Sequence, residues 1–137
     1  MKPFTLKIVT PSRELFNAPV EYVGLPGIEG KFGVLSSHAP FLSILGVGAG
    51  NFRAADNKRR TFTITGGYAE VLGDTVTVLA RGSEFVEDID VARAEECRKR
   101  AMERLAARAD GMDQARAQAA LQRALLRINL SRMGIGS

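Results

Sequence analysis

The sequence predicts a β-rich N-terminal domain followed by a C-terminal hairpin of two helices. Residues 4 to about 85 contain short segments in which apolar and polar residues alternate, and turn-forming residues separate these segments. From residue 90 onward there is no proline, and alanine, arginine, glutamate and leucine dominate. The alternation has the period of half-buried strands, whereas the later composition is typical of helices. We therefore assign residues 1–86 to a β-domain and residues 87–137 to a helical hairpin.

The first strands are predicted from their period of two. Residues 4–10 alternate, and so do residues 20–25, which stop at a Pro-Gly pair. We expect Gly30 and Gly33 to bracket a tight connection, because glycine is the residue that turns most readily. Residues 42–47 form another short strand that ends before the next glycines.

The later strands are separated by stronger turn signals. A polar turn over residues 56–59 joins two strands, and Gly66 with Gly67 is expected to break the chain again. Residues 68–72 and 75–79 form the clearest hairpin. Strands that recur about every 8–12 residues predict a β-sandwich or a barrel.

The first helix is predicted to begin at Asp90, which is a suitable N-cap. Ala94, Cys97, Ala101 and Leu105 recur at spacings of three and four and therefore share one face.

The second helix is predicted to follow Gly111, with Asp113 as its N-cap and Gly134 and Gly136 at its end. Its apolar face contains Ala117, Ala120, Leu121, Ala124, Leu125 and Ile128. Two helices joined by a short loop form an antiparallel hairpin. Because alanines bury little area, this hairpin is expected to be held weakly and to be able to detach.

The positive charge belongs to the helices. Residues 1–89 hold nine Lys/Arg and nine Asp/Glu, whereas residues 90–132 hold ten and six, which accounts for the net charge of +4. Arg93 and Arg100 share a helix face, and so do Arg123 and Arg127. If the chain reverses near Gly111, these four guanidiniums gather at one seam, where they suit the oxygens of a polyphosphate. The alternative is that all four are solvated on an outer face, where they pair with Glu96, with Glu103 or with nothing.

No catalytic or metal site is predicted. The single cysteine, Cys97, excludes an internal disulfide, and one Cys with one distant His does not form a zinc cluster. His38 lies beside two serines, but the chain lacks a nucleophile elbow and an orienting third group. There is neither an apolar run of ~18 residues nor a signal-peptide pattern, so we expect a protein of the bacterial cytoplasm that does not span the membrane.

Residues 25–40, LPGIEGKFGVLSSHAP, resemble the signature of the epsilon subunit of F-type ATP synthase. Residues 66–71 and 76–80 are similar to later strands of the same family, and the resemblance covers the whole chain. It implies a ten-stranded β-sandwich followed by two helices, with no catalytic activity. It also implies that Glu29, Lys31 and His38 contact the rotor, which consists of the gamma subunit and the c-ring. Many members have an acidic residue where this chain has Lys31.

The resemblance further implies a regulatory hairpin. In this family the helices fold down on the sandwich, or extend into the catalytic head of alpha and beta subunits and block ATP hydrolysis. Some members bind ATP in the folded-down form through a motif that reads Ile89-Asp90-Val91-Ala92-Arg93-Ala94 here. The positions implied to bind ATP as a regulatory ligand are Glu84, Ile89, Asp90, Arg93, Ala94, Arg100, Arg123 and Arg127.

The resemblance also implies a location, as a peripheral protein on the cytoplasmic face of the bacterial plasma membrane. Three other interpretations remain. The hairpin is a purely mechanical brake that binds no nucleotide, or the basic helices bind nucleic acid, or the β-domain is a small enzyme. Six carboxylates interleaved with the cations and the absence of a recognition motif disfavour nucleic acid.

Overall fold

The structure, a computed structural model, describes residues 2–36, 39–107 and 111–133. The chain forms two compact units, of which the first ends at Phe85 and the second begins at Val86. The first unit contains the strands and the second contains a short 3-10 helix and two α-helices. The strands are β1 (Phe4–Val9), β2 (Glu14–Gly27), β3 (Gly30–Val34), β4 (Phe41–Ala54), β5 (Arg59–Leu72) and β6 (Thr75–Ala80). The helices are the 3-10 helix (Val86–Asp88), α1 (Val91–Ala106) and α2 (Gly111–Arg132).

The strands form one strongly curved sheet in the order β1-β6-β5-β4-β2-β3, and β1 also pairs with β2. The pairing of β1 with β6 is parallel, and the other pairings are antiparallel. The first half of β2 pairs with β1, whereas its second half lies between β3 and β4. The sheet thereby wraps around one apolar core.

The strand count differs from the expected ten, because residues 4–36 and 39–85 form six strands. Three of them, β2, β4 and β5, each contain 14 residues, so the chain needs fewer and longer strands. The predicted breaks at Gly48 and at Gly66-Gly67 are wrong, since these glycines lie inside β4 and β5. Gly67 has φ +136°, and an added Cβ there would overlap the carbonyl oxygen of Leu79. Glycine at this position allows close approach of β6 and does not end the strand.

The β2–β3 hairpin also differs from the prediction. The stretch from Gly30 to Gly33, expected to be a connection, belongs to strand β3. Its register pairs Gly27 with Gly30, so the turn consists of Ile28 and Glu29. The polar turn before Arg59 and the hairpin between β5 and β6 are confirmed.

Phenylalanine rings form the centre of the sandwich core. The ring centroids of Phe52 and Phe62 lie 6.1 Å apart, and Phe85 meets both rings edge to face. Phe16 covers Phe52 with a centroid distance of 4.4 Å. The guanidinium carbon of Arg60 lies 3.5 Å from the centroid of the Phe85 ring, which closes this end of the core with a cation–π contact. Phe85, the last residue of the first unit, is therefore anchored in the core.

The two predicted helices of the second unit are present. Asp90 caps α1, because its Oδ1 accepts a hydrogen bond of 3.1 Å from the backbone N–H of Arg93. The predicted cap of α2 is wrong: α2 begins at Gly111, so Asp113 lies in its first turn. There its carboxylate faces the positive end of the helix dipole. The predicted end at Gly134 and Gly136 lies outside the described residues.

Candidate functional site

The first candidate site lies on the helical hairpin. Nη2 of Arg132, at the end of α2, is 3.6 Å from Oε1 of Glu95 in the first turns of α1. The helices therefore run in opposite directions, with the end of α2 beside the start of α1. Small and branched side chains, all at most 2% exposed, form the seam between them: Ala94, Ala101, Ala117, Ala124 and Ile128.

The four predicted arginines flank this seam in one consistent way. Arg93, Arg100, Arg123 and Arg127 each come directly before a buried seam residue, namely Ala94, Ala101, Ala124 and Ile128. One residue corresponds to a rotation of about 100° around a helix axis. Because the helices are antiparallel, the position before a seam residue faces the same side of the hairpin in both. All four arginines therefore belong to one side, which we call the arginine side.

The arginine side is more extensive than the spacing argument predicted. Arg104 precedes the half-buried Leu105, and Arg116 precedes the buried Ala117, so both share this side. Like charges on one surface repel each other, and an anion placed among them relieves that repulsion. Arginine binds phosphate and carboxylate oxygens through parallel N–H donors. The arrangement suits a polyanion that lies along the hairpin axis.

Three other predicted site residues have structural roles in α1. The carboxylate of Asp90 is engaged in the N-cap and aligns the backbone of Arg93. Ala94 is fully buried and Ile89 is 9% exposed, so these two residues hold the first turn in place. The motif Ile89–Ala94 thus fixes the start of α1, and Arg93 is the member that is exposed on the arginine side.

Glu84 lies in the first unit, whereas the arginines lie in the second. Its backbone is held by Thr63, because the N–H of Thr63 donates to the carbonyl of Glu84 at 2.8 Å. The N–H of Glu84 in turn donates to the hydroxyl of Thr63 at 3.1 Å. The segment before Phe85 is therefore attached to β5 by reciprocal hydrogen bonds.

The second candidate site is an open apolar groove on the sandwich unit, with a volume of about 820 Å³. Ile28, Ile44 and Tyr68 lie along it and are 67%, 61% and 46% exposed. Ile44 pairs with Tyr68 across β4 and β5, and the N–H of Ile28 donates to the carbonyl of Ile44 at 2.9 Å. These side chains therefore form one continuous apolar row. Exposed apolar rows of this kind mark interaction surfaces.

The predicted rotor loop lies next to this groove. Glu29 is exposed in the β2–β3 turn beside Ile28, and Lys31 is exposed on β3. His38 lies outside the described residues. The structure therefore places an apolar groove and a charged hairpin tip together on one unit.

The groove was not found from the sequence, although a signal was present. Ile44 and Tyr68 alternate with core residues in their strands, so a pattern of period two places them on the outer face. Apolar residues on both faces of a strand indicate either burial on both sides or a docking surface. The sequence alone does not choose between these two.

Within residues 2–36, 39–107 and 111–133, no three His, Cys, Asp or Glu side chains cluster in a way that suits a metal ion. A search of the same residues finds no helix with the length and apolar character that crossing a bilayer requires.

Two family profiles together match residues 3–132. The family profile described as "ATP synthase, Delta/Epsilon chain, beta-sandwich domain" matches residues 3–86. The profile described as "ATP synthase, Delta/Epsilon chain, long alpha-helix domain" matches residues 87–132.

Similar curated proteins carry the name ATP synthase epsilon chain. The protein of Nitratidesulfovibrio vulgaris (strain DP4) is 49% identical over 129 residues, which cover 94% of this chain and 96% of the relative. The protein of Syntrophobacter fumaroxidans is 48% identical over 126 residues, covering 92% and 93%. The protein of Syntrophomonas wolfei is 38% identical over 128 residues, covering 93% of each chain.

Two solved structures share the fold. A chain of the Euglena gracilis mitochondrial ATP synthase, in a structure of OSCP, F1 and c-ring, matches with a TM-score of 0.80 at 19% identity and covers 96% of this chain and 82% of that one. A chain of the Tetrahymena thermophila mitochondrial ATP synthase central stalk and c-ring matches with a TM-score of 0.63 at 13% identity, covering 93% and 95%.

Proposed function

The chain belongs to the family of ATP synthase epsilon chains, and on this premise we propose that it is a regulatory subunit of the central stalk of a bacterial F-type ATP synthase. Family membership over both units carries the proposal. An epsilon chain is a structural and regulatory subunit and not the catalytic one. Its place in the complex makes it a peripheral protein at the cytoplasmic face of the plasma membrane.

For the sandwich unit, the proposed partners are the gamma subunit and the c-ring. The apolar groove with Ile28 and Ile44 supports this role, because burial of an exposed row of large side chains drives association. Glu29, Lys31 and His38 are the proposed polar contacts at the rim of that interface. In this arrangement the subunit couples the rotor to the catalytic head.

For the hairpin, the proposed ligand is ATP. Arg93, Arg100, Arg123 and Arg127 would bind the phosphates, with the remaining predicted residues (Glu84, Ile89, Asp90 and Ala94) around the nucleotide. The arginine side supports this assignment, since four exposed or half-buried guanidiniums on one side of an alanine seam are stabilised by a polyanion. ATP bound to the closed hairpin stabilises it by RT ln(1 + [L]/Kd).

The same arginines connect nucleotide binding to inhibition. Without ATP, the repulsion on the arginine side favours separation of the helices. The freed basic helices then extend towards an anionic surface of the alpha and beta subunits and block ATP hydrolysis. Low ATP therefore favours the inhibited state, which prevents wasteful hydrolysis.

Calorimetric titration of the full chain with ATP tests this proposal, with ADP as a comparison ligand. We expect saturable binding of ATP that is lost in the double variant Arg123→Ala/Arg127→Ala. The matched control is Lys58→Ala/Lys99→Ala, which removes two exposed cations away from the arginine side and should bind as the native chain does.

Two results would contradict the nucleotide assignment. One is the absence of heat at millimolar ATP, which would leave a mechanical stalk subunit without nucleotide binding. The other is an equal loss of affinity in both double variants, which would mean that ATP binds by net charge alone. Unchanged inhibition of ATP hydrolysis by Arg123→Ala/Arg127→Ala would show that the two roles do not share these arginines.

A further inference from the structure

Strand β3 has a free edge. In the sheet order it is terminal and pairs only with β2, as far as the described residues extend. Gly30, Lys31 and Gly33 are exposed, whereas Val34 is 1% exposed and belongs to the core. A terminal strand presents a row of backbone donors and acceptors with which another strand can pair.

The register shows which backbone groups face outwards. Gly27 and Gly30 close a two-residue turn and therefore form a hydrogen-bonded pair. The next pair, Pro26 with Lys31, does not exchange hydrogen bonds, which fits the missing N–H of proline. By the same alternation Gly33, opposite Gly24, also directs its N–H and C=O away from β2. Lys31 and Gly33 thus offer their backbone groups at the free edge.

Beside this edge lies a small cleft of about 240 Å³ whose polar side chains are hydrogen-bond donors. The hydroxyl of Tyr22 leans across the sheet to within 2.8 Å of the place that a Cβ on Gly33 would occupy. Nδ2 of Asn51 lies 3.1 Å from the corresponding place on Gly24. Lys31 lines the same cleft, and none of the lining residues carries a carboxylate.

We propose that the free edge of β3 binds an extended polypeptide segment with acidic side chains. Its backbone would pair with Lys31 and Gly33 as an added strand. Alternate side chains of that strand would face the cleft, one beside the ammonium of Lys31 and the next over Gly33, near the hydroxyl of Tyr22. A free phosphate fits less well, because it accepts hydrogen bonds but cannot donate to the two outward carbonyls.

Lys31 is also one of the proposed rotor contacts, so this inference deepens the proposed function of the sandwich unit and rests on it at that residue. The contact surface differs from the groove of Ile28 and Ile44, and ATP binding to the hairpin is a separate measurement. Failure of peptide binding at β3 would therefore leave docking at the groove and ATP binding to the hairpin open to test.

The experiment titrates the ¹⁵N-labelled full chain with a capped peptide, Thr-Glu-Val-Glu-Thr, and follows the backbone amide resonances. The expected result is saturable shifts centred on Lys31 and Gly33, with slower hydrogen exchange at both amides. Affinity in the millimolar range is expected for so short a strand. The peptide Thr-Lys-Val-Lys-Thr should bind more weakly.

Two variants and one control variant test the chemistry of the site. Lys31→Glu should weaken binding of the acidic peptide about tenfold and improve binding of the lysine peptide. Lys58→Glu changes the net charge equally at an exposed turn residue away from β3 and should leave both affinities as they are. Tyr22→Phe removes only the hydroxyl and should weaken the acidic peptide more than its glutamine analogue.

Three results would overturn the proposal. The first is no saturable shift of Lys31 and Gly33 with any peptide. The second is equal weakening by Lys31→Glu and Lys58→Glu, which would indicate attraction by net charge. The third is a shift of the same amides with protein concentration alone, because the edge would then pair with a second copy of the chain.

Discussion

Asp90 determines where α1 begins. Its carboxylate accepts from the N–H of Arg93, one of the amides that a helix start leaves without an intrahelical partner. Asp90→Ala should destabilise the hairpin by about 1 kcal/mol, measured by thermal unfolding followed at the helical circular dichroism band. The control is Asp88→Ala, which removes an exposed carboxylate that does not cap α1. Equal losses in both variants would mean that charge near the helix end, and not the cap, is responsible.

Position 67, inside β5, requires a glycine. Its φ of +136° disfavours any side chain, and a Cβ would also overlap the backbone of β6 at Leu79. Gly67→Ala should cost about 3 kcal/mol or more of sandwich stability, measured by denaturant unfolding.

Gly30→Ala is the matched control for this prediction. Gly30 has a similar φ of +142°, but no atom lies within 4 Å of an added Cβ. It should therefore show the backbone strain alone and a smaller loss. If Gly67→Ala and Gly30→Ala lose similar amounts of stability, then the close contact with β6 does not contribute to the cost at Gly67.

The type of a residue predicted its structural role well at positions where only one role suits that residue type. Asp90 was identified as a cap because only a short acceptor side chain satisfies the first amides. Asp113 satisfied the same rule, but α2 begins three residues earlier than a cap at Asp113 implies, since glycine can either end a helix or begin one. Gly66 and Gly67 were predicted to interrupt a strand, because glycine occurs both in turns and at close contacts between strands.

At the scale of elements, the hairpin has two unlike sides. Six arginines lie on the arginine side, whereas Glu95 on the other side joins both helices. Its Oε2 is 2.9 Å from Nε of Arg98, and its Oε1 is 3.6 Å from Nη2 of Arg132. The side chains involved are between 36% and 74% exposed, so each pair contributes little.

Glu95→Gln should therefore destabilise the hairpin by less than about 1 kcal/mol, and added salt should reduce the difference from the native chain. Thermal unfolding at low and high salt measures both effects. Glu103→Gln, at another exposed glutamate of α1, is the control and should unfold as the native chain does. A large loss that salt does not reduce would mean that Glu95 acts through packing.

The sequence predicted both helices and most of their buried faces, because a period of 3.6 residues leaves one consistent set of positions. Leu125, predicted on the apolar face of the second helix, is an exception, since it is 39% exposed. It also placed the four arginines on shared faces. It did not predict the contact between Glu95 and Arg132, since spacing within a helix says nothing of the register between two helices. Long strands were divided into short ones for a similar reason: pairing partners, and not local patterns, decide how far a strand continues.

For the whole molecule, the groove makes a prediction about assembly. Ile44→Asp should leave the fold intact, because this side chain is 61% exposed, and should weaken binding to a purified gamma subunit at least about tenfold. Leu72→Asp is the matched control, with the same exposed fraction at a residue that does not line the groove. Sedimentation of the mixed subunits measures the complex. Equal weakening by both variants would place the docking surface elsewhere.

Phe85 and Val86 are consecutive residues, and the first unit ends with one while the second begins with the other. Phe85 is buried in the sandwich core, where its ring meets Phe52 and Phe62. The second unit starts with the 3-10 helix, and Asp90 then caps α1. The 16 residues of α1 have a length of about 24 Å. A turn of about 10° at the start of α1 therefore moves its far end by about 4 Å, so small angular changes at the Asp90 cap become large displacements at the tip of the hairpin.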